Sequence, residues 1–171
     1  MIAEGLGTGD GLVQDVVVLP ITYRPVGPEA AGEVLTVQRA AFLTEARMYG
    51  TVEIPPLAET LAQLRRELEM NTTIGAFLVQ RLVGTARLTL DGPIGWISRV
   101  AVAPDMQGQG IGSGLLEAVE AIAPLHVRSF QLGAGAMSVA NIAMYERRGY
   151  REVSREFDSA GIELIIMAKQ R

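Results

Sequence analysis

The sequence predicts an α/β protein, α+β in the sense that one mixed sheet is covered by helices, and three observations predict it. Apolar, β-branched runs bounded by Gly, Pro and Asp recur along the chain, as strands do, and stretches with apolar residues at helical spacing separate them. A glycine-rich turn joins the run Ile94 to Ala103 to a helical pattern carried by Leu115, Leu116, Val119 and Ile122. Another strand-like run follows that helix, so the two strands must lie parallel across a crossover.

Taken in order, residues 1–15 carry glycine at 5, 7, 9 and 11 among scattered acids, the pattern of a flexible N-terminal tail, and one folded domain is expected over 16–171. Val16 to Tyr23 reads as a first strand, placed at a sheet edge by Pro20 and ended by Pro25 and Pro28. A first helix starts at Pro28-Glu29, presents Val34, Leu35, Gln38, Ala41, Phe42 and Glu45 on one face, and stops before Gly50. Met48 to Pro56 is expected to be a stiff loop. Leu57, Leu61, Leu64 and Leu68 then predict a second helix running to about Met70. Thr73 to Val79, Leu82 to Leu90 and Ile94 to Ala103, turned at Gln80-Arg81 and Asp91-Gly92-Pro93, form an antiparallel meander. After the glycine turn and its helix, Val127, Phe130 and Leu132 mark a fifth strand ending in Gly133-Ala134-Gly135. Ser138 is placed as the N-cap of a last helix through Asn141, Met144 and Tyr145, which stops at Gly149. Tyr150 to Phe157 and Ile162 to Ala168 close the domain as a hairpin.

Composition narrows the chemistry. The 171 residues include no cysteine and one histidine, His126, which excludes disulfides, thiol nucleophiles and a histidine-rich zinc site. A net charge of −4 without a Lys/Arg-rich run argues against a nucleic-acid footprint. No apolar run approaches a membrane span and no leader-like segment opens the chain, so a cytoplasmic protein without membrane association is expected.

The functional signal is concentrated between Arg99 and Glu120. Gly108, Gly110, Gly112 and Gly114 sit where a strand hands over to a helix, so unpaired N–H groups and the positive end of the helix dipole create an anion site, most naturally for phosphate. A Walker A loop is excluded because the only lysine, Lys169, lies far from the glycines. The dinucleotide fingerprint is excluded because a strict spacing of two fits no G-x-G-x-x-G.

With the element order β-α-α-β-β-β-α-β-α-β-β, the chain resembles the GNAT superfamily of acyl-CoA-dependent N-acetyltransferases. Two stretches carry the resemblance. Gln107, Gly110 and Gly112 match the Q/R-x-x-G-x-G/A pyrophosphate motif behind Val100-Ala101-Val102-Ala103-Pro104, and Tyr145-Glu146-Arg147-Arg148-Gly149-Tyr150 matches the tyrosine-bearing helix that runs into a Gly-aromatic pair. The resemblance implies a sheet whose fourth and fifth strands splay, with acetyl-CoA as co-substrate and no metal. Backbone groups of Val100 and Val102 would hold the pantetheine arm, and N–H groups from Gln107 through Gly108, Gln109, Gly110, Ile111, Gly112 and Ser113 would hold the pyrophosphate. Tyr145 would be the general acid that protonates the departing thiolate. The family often places a CoA-contacting Asn seven residues before that tyrosine, where this chain has Ser138; Ser138 and Asn141 are therefore both candidates. Many relatives carry a glutamate base on the fourth strand, but Trp96-Ile97-Ser98-Arg99 contains no acid. That leaves Glu45, Glu53 or a water chain held by Ser98.

The acceptor implied is a primary amine of a small molecule or a peptide. Arg99 and Arg87 could favour one that bears a carboxylate, and Arg147 and Arg148 could reach the CoA 3′-phosphate. A catalytically silent acyl-CoA-binding module is the alternative that the missing acid suggests, and an acyl group other than acetyl is also compatible. Exposed strand edges are compatible with a homodimer.

Overall fold

A computed structural model describes residues 19–171. The expected tail, and Val16 to Val18 of the expected first strand, lie outside them. Seven strands form one sheet in the order β1-β2-β3-β4-β5-β7-β6: β1 (Ile21–Pro25), β2 (Thr72–Leu78), β3 (Arg81–Asp91), β4 (Ile94–Val102), β5 (Ser129–Gly135), β6 (Arg151–Phe157) and β7 (Glu163–Gln170). Every pairing is antiparallel except β4 with β5, the crossover expected from the strand-helix-strand order. β1 runs through Pro25, because on an edge strand the missing N–H breaks no ladder bond.

The helices are α1 (Ala31–Tyr49), α2 (Pro55–Ala58), α3 (Leu61–Met70), α4 (Ile111–Ile122) and α5 (Val139–Arg147). They cover both faces of the sheet. Consecutive strand residues point to opposite faces, and Ala76 and Val83 pack with α4 residues Leu115, Leu116 and Val119, whereas their neighbours Phe77 and Leu82 pack with Val34, Leu64 and Leu68 from α1 and α3.

Two expectations are corrected. The leucine stripe from Leu57 to Leu68 does not run along one helix: the chain breaks at Glu59-Thr60, and α3 restarts with a capping box in which Thr60 and Gln63 satisfy each other's backbone N–H groups. Leu61 is accordingly exposed, and the expected loop ends in the short helix begun by Pro55. The β2–β3 turn falls at Val79-Gln80 rather than Gln80-Arg81, with Val79 in the left-handed region at φ 58°.

The sheet opens on one side of β4. β5 pairs with it only from Ile94↔Ser129 to Ile97↔Leu132, whereas on its other edge β5 stays paired with β7 from Ser129 to Gly135. β3 stays paired with β4 to Val102, but its register steps between Ser98↔Arg87 and Ala101↔Thr85, so Arg99 and Val100 together face Ala86. This is a β-bulge, and Arg99 sits in it at φ 54°.

Candidate functional site

The opening between β4 and β5 leads into two adjoining cavities. One, of about 500 Å³, lies under the glycine turn and is lined by Val100, Val102, Gln107, Gly108, Gly110, Ile111, Gly112, Ser113, Ser138, Asn141 and Tyr145, among others. The second, of about 180 Å³, is lined by Tyr49, Pro55, Pro56, Trp96, Ser98, Arg99, Leu132 and the closing hairpin. Phe42, Glu45, Val100, Asn141 and Tyr145 border both and form the junction.

The four glycines serve different ends. Gly108 and Gly110 adopt φ 76° and 79°, with open space where a side chain would stand. They bend the chain so that α4 begins at Gly110 without any side-chain cap, leaving first-turn N–H groups free for an anion. A Cβ on Gly112 would meet Met144 at 3.2 Å. Gly114 contributes nothing to the cleft; it makes room for the Tyr23 ring and hydroxyl from β1. Gln107 folds back so that its Nε2 donates to the Val102 carbonyl at 3.0 Å, tying the turn to the strand. Gln109 is not among the residues that line the cavity; its Nε2 lies 4.0 Å from the sulfur of Met106, which does line it. Backbone donors, left-handed glycines and a roomy cavity thus fit the pyrophosphate arm of an acyl-CoA.

At the junction, Ser138 is buried but does not cap α5 through its side chain, as the sequence suggested; its Oγ donates to Glu45 Oε1 at 3.1 Å. Asn141 Nδ2 reaches the same oxygen at 3.5 Å. Burial pushes the Glu45 carboxyl above its ordinary range, and these two hydrogen bonds only partly offset that. Tyr145 is 6% exposed and packs edge-to-face on Tyr150, ring centroids 6.2 Å apart. Burial, reinforced by the Glu45 charge, raises its hydroxyl far above the usual phenol range.

Glu53 is exposed and borders neither cavity, so of the two candidate carboxylates only Glu45 reaches the junction. Arg147 borders the larger cavity, while Arg148 pairs with Glu117 at 3.3 Å. His126 is exposed.

Arg87 does not face the acceptor side. Its side chain is buried and grips Glu59, Nη1 to Oε1 at 3.1 Å and Nη2 to Oε2 at 3.3 Å, with Glu67 at 3.4 Å. Gln38 Nε2 donates to Glu59 Oε2 at 2.7 Å, and Arg99 Nε lies 3.5 Å from the same oxygen. Burial alone would raise the Glu59 carboxyl, but Arg87 and Gln38 hydrogen bonds, with the charges of Arg87 and Arg99, hold it below its ordinary range. Sequence reading missed Glu59. Its partners Gln38, Arg87 and Arg99 lie 21, 28 and 40 residues away, and the one local signal was the Thr60/Gln63 capping box that ends the stripe beside it.

Among the described residues no group of three or more His, Cys, Asp or Glu side chains could hold a metal, and no helix is long and apolar enough to cross a membrane.

Solved structures share this architecture. The ribosomal-protein-S18-alanine N-acetyltransferase of Escherichia coli superposes with a TM-score of 0.70 at 20% identity, covering 88% of this chain and 94% of that one. The PaiA N-acetyltransferase of Thermoplasma acidophilum, solved in complex with coenzyme A, gives 0.71 at 18% identity over 89% and 99%. The IAA acetyltransferase of Bacillus cereus gives 0.68 at 22% identity over 89% and 100%. These likenesses define the fold class, one mixed sheet covered by helices on both faces. In sequence, a Bacillus subtilis (strain 168) protein whose name places it among acetyltransferases is 32% identical over 89 residues, 52% of this chain and 58% of its own length. Residues 49–171 match the acetyltransferase (GNAT) domain, and the chain belongs to that family.

Proposed function

We propose that the protein transfers an acetyl group from acetyl-CoA to the primary amine of a small molecule or peptide by direct attack. One observation carries this reading: the glycine turn, the unpaired stretch of β4 and the Glu45/Tyr145 pair converge on one opening between β4 and β5. The coenzyme A complex of the Thermoplasma relative supports it, since that protein shares the fold.

Acetyl-CoA would supply an activated acyl carbon and a thiolate leaving group. First-turn N–H groups of α4 would hold its pyrophosphate, and Val100 and Val102 would border its arm where β5 has diverged. Glu45 takes the proton that the attacking nitrogen loses. Its raised affinity for protons makes it a better base than an exposed carboxylate, and Ser138 and Asn141 keep one oxygen oriented. Tyr145 remains protonated through the neutral range and so can donate to the sulfur as the C–S bond breaks. The proton on Glu45 then returns to Tyr145, which leaves an amide, a CoA thiol and an unchanged protein. The carboxylate that many relatives carry on the fourth strand is supplied here from α1.

Two measurements test the proposal. Acetyl-CoA should raise the melting temperature, and a panel of amines should release CoA thiol, read by a thiol reagent against no background because the chain lacks cysteine. No melting shift at millimolar acetyl-CoA removes the donor. A shift without thiol release from any amine leaves a silent acyl-CoA-binding module instead.

A further inference from the structure

Among the described residues that line the smaller cavity, Arg99 is the single cation, and the lining includes the acids Glu45 and Asp158. Its position is set by strain. A non-glycine residue adopts the left-handed region rarely, and the β4 bulge holds Arg99 there at φ 54°. An unbulged strand would carry the side chain on the regular alternation instead.

The charges behind Arg99 are arranged so that it is aimed rather than neutralised. Arg87, with its side chain 6% exposed against 24% for Arg99, takes both Glu59 oxygens in a bidentate grip. Arg99 approaches that carboxylate only through Nε, at 3.5 Å. One carboxylate therefore stands between two guanidiniums, and Glu67, the second acid, lies on Arg87. Among the described residues neither terminal nitrogen of Arg99 has a hydrogen-bond partner, and neither is sealed from solvent. A planar guanidinium held along one edge, with its outer N–H groups open, matches the fork geometry of a carboxylate. Asp158 works in the same direction. Its Oδ1 is tied to the Ala160 and Ile162 N–H groups on the closing hairpin, and an anion is repelled from that wall.

We propose that the acceptor is a small amino carboxylate, an amino acid or a close analogue, whose carboxylate docks on the terminal nitrogens of Arg99 while its amine faces Glu45 at the junction. The inference rests on the acetyl-transfer reading for the role of the amine and deepens it by naming the substrate class. A cavity of about 180 Å³ suits such a molecule; drug-sized ligands occupy pockets from roughly 300 Å³ upward.

The test pairs each amino acid with its primary amide and its decarboxylated amine, with acetyl-CoA as donor. The carboxylate should be preferred in kcat/KM by roughly 10–100-fold, the scale of a charge-assisted hydrogen-bonded pair. Arg99→Gln should erase the preference chiefly through KM, and Arg99→Lys should restore part of it by keeping the charge without the fork. A second readout does not need turnover. N-acetyl amino acids should raise the melting temperature of the CoA-loaded wild type, their amides should not, and Arg99→Gln should remove the difference. Equal rates and equal shifts for acids and amides overturn the proposal, as does an undiminished preference in Arg99→Gln. Acid-selective binding without transfer to any amine upholds the Arg99 site and overturns the transfer reading alone.

Discussion

The two cavities that meet at Tyr145 are built on opposite principles. The larger is bordered on one side by backbone features, namely two left-handed glycines, an uncapped helix start and a strand edge not paired with β5, and on the other by side chains of α1 and α5. The smaller is lined by side chains from α1, the Pro55-Pro56 segment, β4, β5 and the closing hairpin. A backbone cradle recognises what any phosphate offers and needs only a short contiguous stretch. A side-chain pocket recognises one shape and charge, and it needs the whole fold to assemble it. On the proposed function, the backbone cradle would take the donor and the side-chain pocket the acceptor.

The strongest way to break this contrast is Gly110→Glu. It forces a side chain onto φ 79° and brings a carboxylate to the anion site, and the acetyl-CoA-dependent rise in melting temperature should vanish. A retained shift would mean that the turn is not the cradle.

Next in size is Glu59→Gln, which leaves the buried Arg87 guanidinium without its main partner. Breaking a buried pair costs about 3–5 kcal/mol, and urea denaturation at pH 7 should show a loss toward the lower end because Glu67 remains in reach. Glu59 is held below its ordinary value of 4.5 in the folded protein, so its stabilising contribution is present above that range and is lost as pH falls through the lowered folded value. The variant should therefore lose less stability on acidification than the wild type does.

Tyr145→Phe keeps the ring against Tyr150 and removes only the proton. kcat should fall roughly 100-fold, as loss of a general acid does, while the acetyl-CoA melting shift persists. An unchanged rate would remove Tyr145 from the chemistry.

Glu45→Gln should give the smallest effect on stability and one of opposite sign to Glu59→Gln. With the folded carboxyl raised above 4.5, the ionised form is destabilising once pH rises through that raised value, so the amide should melt slightly higher at pH 7. Turnover should fall at the same time, and the acidic limb of the wild-type kcat/KM profile, displaced upward from the ordinary carboxylate range, should flatten. A variant both more stable and slower marks a group kept for function.

Much of this was legible beforehand. The strand, turn and helix from Ile94 to Ile122, the parallel crossover and the edge position of β1 follow from apolar periodicity, glycine and proline. The leucine stripe misled because periodicity ran on across Glu59-Thr60, where the capping box had already ended one helix and begun another. Ser138 misled in a different way: a serine before a helix is usually its cap, but here a nearer charge, Glu45, takes the hydroxyl.

What the sequence determined by itself is the glycine turn at the start of α4, since a helix N-terminus with left-handed glycines is specified by residues within one or two turns of one another. What only the tertiary structure decided is which of the candidate carboxylates and arginines border the cavities. Glu45 meets Ser138 across 93 residues, and Glu59 meets Arg99 across 40. The sheet order, the bulge in β4 and the crossing of α1 bring those charges together. Burial then sets whether each side chain is a structural partner, as Arg87 is, or stands open to the cavity, as Arg99 does.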